Sequence, residues 1–371
     1  MIDRKLFQKT FSTLHASPDT LSEVYQMVRK EERKPRHPLS KTVLIAAVLA
    51  LCVTVAAATG IASLIKARVS PAQNVTAADL NAFGSSAIGS DTPIVTDNSG
   101  QVLNLPRMER VAVDADTMQR LVGDYLSTVD AVVEAEGYTF SLQTFLIDEN
   151  GSGFLTYTMS NPDGVDYQDV GYGKVCTAKD PVLFVGDAGS DHHYMDTEVY
   201  LDTAASTGTE LHLVAYFSDF GFWHKGDDLV FAVAGQSGGD WGGTISITPR
   251  TYLPAATFTA ESGDTVTVSA LGIRMLNPAA VGDAVTDVVS DELVLHMADG
   301  TQYVVESEKD NIMNWVVGLG ISDEEYHIIG SAYSFNRMVD VDTVTSVTFG
   351  GHYYADLTAE EAVTVTNTYT R

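Results

Sequence analysis

The longest unbroken apolar stretch of the chain is Thr42–Ile65, TVLIAAVLALCVTVAAATGIASLI, in which 24 residues carry no charge and only threonine, serine and glycine interrupt the run. About 20 apolar residues cross a hydrocarbon layer of roughly 30 Å, and a crossing segment must satisfy its own backbone. The pattern therefore predicts a transmembrane helix over 42–65. A cleaved leader is the competing reading, with Ala56-Ala57-Ala58 as a small-residue site, but it calls for a shorter apolar run much nearer the start.

Ahead of that segment the pattern changes to helical stripes. Leu6, Phe7, Phe11 and Leu14 share one face, and Ala16-Ser17-Pro18-Asp19 interrupts it because proline disfavours helix in the residue before it. Thr20-Leu21-Ser22-Glu23 has the form of a capping box and opens a second helix, with Leu21, Val24, Tyr25 and Val28 as its stripe. Residues 1–41 are too few to bury these stripes in a core of their own. They predict docking onto a cytoplasmic protein partner; a basic segment lying on the inner leaflet is the alternative.

Beyond the apolar segment, residues 66–110 are rich in Ala, Ser, Asn, Asp and Gly without a sustained period, and predict a stalk or linker. A short helix is expected over 116–126, with Met118, Leu121, Val122 and Tyr125 on one face. Strand alternation follows in Tyr138–Phe145 and Phe154–Met159, joined through the turn Asp148-Glu149-Asn150-Gly151, and Asn161-Pro162-Asp163-Gly164 closes the second strand. Further strands are expected at 198–201, 210–217, 229–234, 265–275, 292–297, 302–306, 332–337, 344–349 and 362–368, with Asp299-Gly300 turning a second hairpin. Many short strands at regular spacing predict a mainly β fold with two β-sandwich, immunoglobulin-like domains over 111–250 and 251–371, divided where ITPRTYLPA breaks the pattern.

Charge adds orientation. The chain has 371 residues, with 22 Lys+Arg against 49 Asp+Glu and a net charge of −27. Residues 1–41 hold nine basic and five acidic side chains, and residues 66–371 hold 13 and 44, so the apolar segment separates +4 from −31. The basic side stays cytoplasmic by the positive-inside rule, which places the C-terminal domains outside the cell membrane. A surface this acidic argues against nucleic acid as a partner.

Candidate chemistry changes the picture little. Gly235-Gln236-Ser237-Gly238-Gly239 matches the Gly-x-Ser-x-Gly of a nucleophile elbow, but that motif needs a strand before and a helix after, and Thr244–Ile247 reads as strand. Asp191, His192, His193 and Asp196, with Asp187 nearby, are zinc-type ligands, although neighbouring histidines on a strand would point to opposite faces. Asp163, Asp166 and Asp169 are calcium-type ligands without the order of an EF-hand loop, and Trp223 and Trp241 are either a sugar-binding platform or sandwich core. Cys52 falls in the apolar segment and Cys176 beyond it, so no disulfide between them is expected. There is no P-loop, dinucleotide fingerprint or cysteine zinc pattern. The expectation is a non-enzymatic chain with no cofactor, no resident metal and an unassigned outer ligand.

LHASPDTLSEV (14–24) followed by a basic stretch and one span, LTYTMSNPDG (155–164), DGTQYVV (299–305) and YSFNRMVDVDTVTSVTFGG (333–351) together resemble single-pass membrane proteins of gut-dwelling Gram-positive bacteria. These carry an uncharacterised all-β outer domain of the type found beside extracytoplasmic-function sigma factors. The resemblance implies an anti-sigma-like regulator whose cytoplasmic segment holds a sigma factor and whose outer domains sense or bind a ligand. It brings no established site residues. The His…Cys-x-x-Cys zinc pattern of many anti-sigma proteins is absent, since His15 and His37 have no cytoplasmic cysteine beside them. The other reading is a tethered adhesion or ligand-binding module.

Overall fold

A computed structural model describes residues 64–71, 94–96, 102–104, 106, 108, 115–135, 137–165, 168–169, 175–176, 182–187, 195–202, 205–219, 223–234, 241–281, 285, 287–322, 328–354 and 362–371. The docking stripes Leu6, Phe7, Phe11, Leu14, Leu21, Val24, Tyr25 and Val28, and the apolar residues 42–63, lie outside these. Among the described residues no helix is long and apolar enough to cross a membrane. Leu64 and Ile65, expected at the end of the span, are in a strand, which leaves 22 uncharged residues, 42–63, ahead of it.

The described chain is mainly β, with one α-helix. The first unit has two sheets. Strands β10 (Val182–Asp187), β13 (Leu229–Ala234) and β14 (Trp241–Ile247) are antiparallel neighbours, and β1 (Leu64–Lys66) joins the β14 edge in parallel. Opposite lies a six-stranded antiparallel sheet in the order β11 (Asp196–Leu201), β12 (Glu210–Ser218), β7 (Gly153–Ser160), β6 (Tyr138–Ile147), β5 (Ser127–Ala135) and β2 (Arg68–Pro71). Strand β5 alternates buried and exposed residues along its whole length, as a sheet with one wet face requires. The inner faces enclose a core in which Phe145, Phe217 and Phe231 meet with ring centroids 6.1–6.2 Å apart.

Residues 66–110, expected as a linker, thus include strands of the first unit, and also a small ladder of β3 (Ile94–Thr96) with β4 (Val102–Asn104). The reason is positional. Leu64–Lys66 belongs to one sheet, Ala67 donates its N–H to Ser246 O at 2.9 Å, and Arg68–Pro71 belongs to the other. Eight residues therefore bridge both sheets, a pairing set by distant strands and invisible in local composition.

The second unit departs from the expected sandwich of two sheets. It is one ten-stranded antiparallel sheet: β20 (Ile312–Met313), β19 (Gln302–Ser307), β18 (Asp287–Met297), β23 (Val344–Tyr354), β24 (Ala362–Thr370), β15 (Ala256–Ala260), β16 (Thr265–Val268), β17 (Gly272–Leu276), β22 (Ile328–Phe335), β21 (Trp315–Ser322). The edge strands β20 and β21 are consecutive in the chain, separated only by Asn314, so the sheet curls until its edges meet around a single core. Asn314 forms the seam. Its N–H donates to Val305 O at 2.7 Å, its Nδ2 to Val304 O at 2.8 Å, and its carbonyl accepts from Asn336 N at 3.2 Å and from the Tyr303 hydroxyl. Curling removes open edges, the hazard of any long sheet.

A third apolar cluster lies between the units. It unites helix α1 (Ala115–Val122) through Met118 and Val122, the first unit through Leu126, Leu146, Phe154, Tyr200 and Tyr216, and the second through Ala270, Leu271, Val316, Val317 and Met338. The helix begins where expected but stops at Val122, ahead of the predicted 126, as Tyr125 and Leu126 donate back to Val122 O at 2.9 Å.

Candidate functional site

The junction between the units concentrates the buried polar groups that join distant parts of the chain. It begins with the β6–β7 turn. Gly151 adopts φ +87°, a left-handed conformation that glycine takes without penalty, so the chain reverses over Asp148–Gly151. Asp148 is fully buried at the start of the turn, and its Oδ1 accepts the backbone N–H groups of Asn150 and Ser152, each at 2.8 Å. Its Oδ2 accepts the Ser269 hydroxyl at 2.5 Å from the second unit.

Ser269 sits between β16 and β17, where a single strand over 265–275 was expected. The chain folds back there because Ser269 N–H donates to Gly272 O at 2.8 Å and the Ser269 hydroxyl oxygen accepts from the N–H groups of Leu271 and Gly272 at 2.9 and 3.1 Å. One hydroxyl thus shapes a turn in one unit and grips a carboxyl in the other. Thr267 Oγ1 donates to Asn150 Oδ1 at 2.9 Å, and Arg274 donates to Asn150 O at 3.3 Å while standing 3.6 Å from the Asp219 carboxylate.

Beneath the turn, Asp219 accepts Trp223 N–H at 3.0 Å. The connection to the second unit runs beside the turn as an added strand-like segment: Leu253 N–H donates to Ile147 O at 2.9 Å and Glu149 N–H to Leu253 O at 3.0 Å. Lys225 donates to Glu149 at 2.6 Å, which holds the Glu149 carboxyl below the usual carboxylate range. Burial acts oppositely on Asp148 and, despite its donors and Arg274, pushes it up to about 6. The arrangement is suited to fixing the relative orientation of two units, since buried directional bonds reinforce an apolar interface that by itself specifies no angle.

Sequence-level candidates are scattered by the fold. Asp163 is exposed in the turn after β7, Asp169 is in the short strand β8 (Gln168–Asp169) and Asp187 ends β10, while Asp166 and Asp191–Tyr194 lie outside the described residues. Among the described residues no three His, Cys, Asp or Glu side chains are grouped to hold a metal. Ser237 lies outside as well; the described elements on either side of it are the strands β13 and β14, where a nucleophile elbow calls for a strand before and a helix after. Trp223 is not a sugar platform: it is 5% exposed, packs on Tyr252 with centroids 5.9 Å apart and donates its indole N–H to Asp227 O at 3.3 Å. Cys176 lies in the two-residue strand β9 (Val175–Cys176).

The sequence does not single out the junction residues Asp148, Ser269 and Arg274 as site residues. Asp148 reads only as a turn former, and the one available signal is a Ser-x-x-Gly break inside an otherwise regular strand. No protein-family model and no curated protein matches this chain.

Proposed function

We propose that the chain is a non-enzymatic, single-pass membrane regulator whose outer β units control what its cytoplasmic tail holds, with a sigma factor as the partner class. The observation that carries this reading is the way the chain enters the first unit. The uncharged segment 42–63 is followed at once by Leu64–Pro71, which pairs with both sheets. A tether needs slack between membrane and domain; a transmitter needs rigidity. The third apolar core and the Asp148–Ser269 bond extend that rigidity to the second unit. The +4 against −31 charge division supports an inward tail, and the stripes Leu6, Phe7, Phe11, Leu14 and Leu21, Val24, Tyr25, Val28 supply its docking face.

The test pairs residues 1–41 with each sigma factor of the host in a two-hybrid assay, and compares transcripts of cells carrying the full chain or its Phe11→Asp, Val24→Asp variant. One sigma factor is expected to bind, and the double substitution to abolish both binding and its transcript signature. Absence of any sigma-factor binding, with transcripts unchanged by the variant, sinks the reading.

The tethered binding module remains the second reading, favoured by the outer surface of β24. There Thr364, Thr366, Thr368 and Thr370 are all exposed, a hydroxyl row suited to a polar polymer. It predicts that removal of residues 1–30 leaves function intact.

A further inference from the structure

Inside the second unit, Glu306 occupies a position that strand periodicity reserves for solvent. Along β19, Tyr303, Val305 and Ser307 are buried and Glu306 between them is half-buried, where strict alternation would turn it fully outward. Instead Leu293 pairs with Glu306 and Val294 with Val304, so Val305 is one residue too many in the ladder. A bulge of this kind re-aims the side chain beside it, and Glu306 comes to lie opposite Leu293, a fully buried member of the second core. Two more ladders are interrupted around it. Asp291 is skipped between the Ser290–Gly351 and Glu292–Gly350 pairs, and Val316 between the Trp315–Phe335 and Val317–Ser334 pairs.

The result is a polar cluster at the margin of the apolar core, with Glu306 half-buried as a residue and its Oε2 shut off from solvent. Ser290, Trp315 and Tyr333 lie around the Glu306 carboxyl, and Trp315 and Tyr333 stand with ring centroids 5.9 Å apart. Yet Glu306 Oε2, Ser290 Oγ and Trp315 Nε1 are buried without a hydrogen bond. These groups come from β18, β19, β21 and β22, so the cluster spans the seam where the two edges of the sheet meet. The charged group acting on Glu306 is Glu308, of the same sign; Tyr353 of β23 faces Tyr333, the Asp291–His352 pair at 3.0 Å is half-exposed at the strand surface, and Arg337 is stacked on Tyr303 at 4.1 Å. A buried carboxylate with a like charge beside it and an unfilled oxygen is costly, whereas the neutral acid is not.

We propose that this cluster is a proton-operated lock on the seam of the second unit: with its proton, Glu306 lets the seam close, and without it the charge draws in water and the seam loosens. Burial pushes Glu306 up to about 7, above its ordinary value of 4.5. The folded carboxyl therefore holds its proton more tightly than the opened one. Its closing contribution is complete below about pH 4.5 and is lost as pH rises through about 7. The lock needs only the outer unit and is independent of any cytoplasmic partner, but it makes external acidity a stimulus that the outer units would read.

Amide hydrogen exchange of the full chain in lipid discs, corrected for intrinsic rates, tests this across pH 5 to 8.5. Peptides covering β19 and β21 are expected to open about tenfold more readily at pH 8 than at pH 6, levelling above that, and Glu306→Gln to remove the dependence. Infrared spectra of the Asp148→Asn background are expected to show a protonated carboxyl band lost with a midpoint near 7. That band should be absent when Glu306→Gln is added, and Tyr333→Phe, which removes a donor to the carboxylate, should raise its midpoint. Equal pH dependence of exchange in the parent and Glu306→Gln chains overturns the proposal. So does a carboxyl midpoint below 5, or one that Tyr333→Phe leaves unmoved, and either of these readings serves even where Glu306→Gln fails to fold.

Discussion

The Ser269 hydroxyl of the second unit donates to the fully buried Asp148 carboxylate of the first at 2.5 Å, while the same oxygen accepts two backbone N–H groups of its own turn. With both lone pairs engaged, Ser269 Oγ can only donate to Asp148. An amide at position 148 would keep Oδ1 for Asn150 and Ser152 but face Ser269 with a second donor.

Asp148 makes stability depend on pH in a stated direction. Burial raises its pKa from 3.8 to about 6, so its favourable contribution is complete below about pH 4 and is lost as pH rises through about 6. Full-length wild type is expected to lose roughly 2 kcal/mol relative to Asp148→Asn between pH 4 and 7, because a rise from 3.8 to about 6 is worth roughly 1.4 kcal/mol for each pH unit and part of it falls below pH 4. Denaturant midpoints of both proteins across that range check it; parallel curves refute it.

Two glycines with the same backbone sign should respond differently to alanine. Gly151 has φ +87° and a Cβ there would lie 2.8 Å from Asp219 Cβ, whereas Gly137 has φ +85° with open space around it. Gly137→Ala is expected to cost about 1 kcal/mol of conformational strain, and Gly151→Ala about 2–3 kcal/mol because a clash is added. Thermal melting of the two variants distinguishes them.

The third apolar core should be what keeps the units together. Leu271, 3% exposed and packed there, is expected to cost about 3 kcal/mol on replacement by alanine. Protease cleavage within 248–255 should accelerate in Leu271→Ala, because that connection is protected by pairing beside Ile147. Unchanged cleavage would show that the polar contacts suffice.

A flexible insertion of about twelve Gly and Ser residues between Ser63 and Leu64 separates the two functional readings. Melting of the two β units should be unchanged, since the bonds of Leu64–Pro71 remain. The transcript response should be lost if rigidity carries the signal, and ligand binding by the β units should persist if the chain is only a tether.

Local pattern makes much of this fold legible. The hairpin of β6 and β7, the hairpin of β18 and β19 with Gly300 at φ +84°, and strand β13 fall where alternation and turn residues place them. Strand β5 is hard to see because its Asp, Glu and Ala residues are poor strand formers, although its alternation is regular. Strand β21 is hidden because Gly318 and Gly320 read as breaks, whereas both lie within the strand, where Gly318 receives the Trp315 ring. What no local rule contains is partner choice: the parallel pairing of β1 with β14, and the meeting of β20 with β21, depend on segments far apart or on curvature accumulated over ten strands. The junction is hidden for the same reason, since Asp148 and Ser269 become a pair only after both units form.

The double pairing of Leu64–Pro71 also decides how the protein bears tension. A pull on the chain ahead of Leu64 runs along β1 and β2, nearly in line with β14 and β5, so hydrogen bonds of two ladders must slide together and cannot be peeled one at a time. Resistance to such shear is a matter of the unfolding rate under force and not of equilibrium stability. The first unit is thereby a mechanical clamp on the chain that enters it, able to carry strain across both sheets before it comes apart.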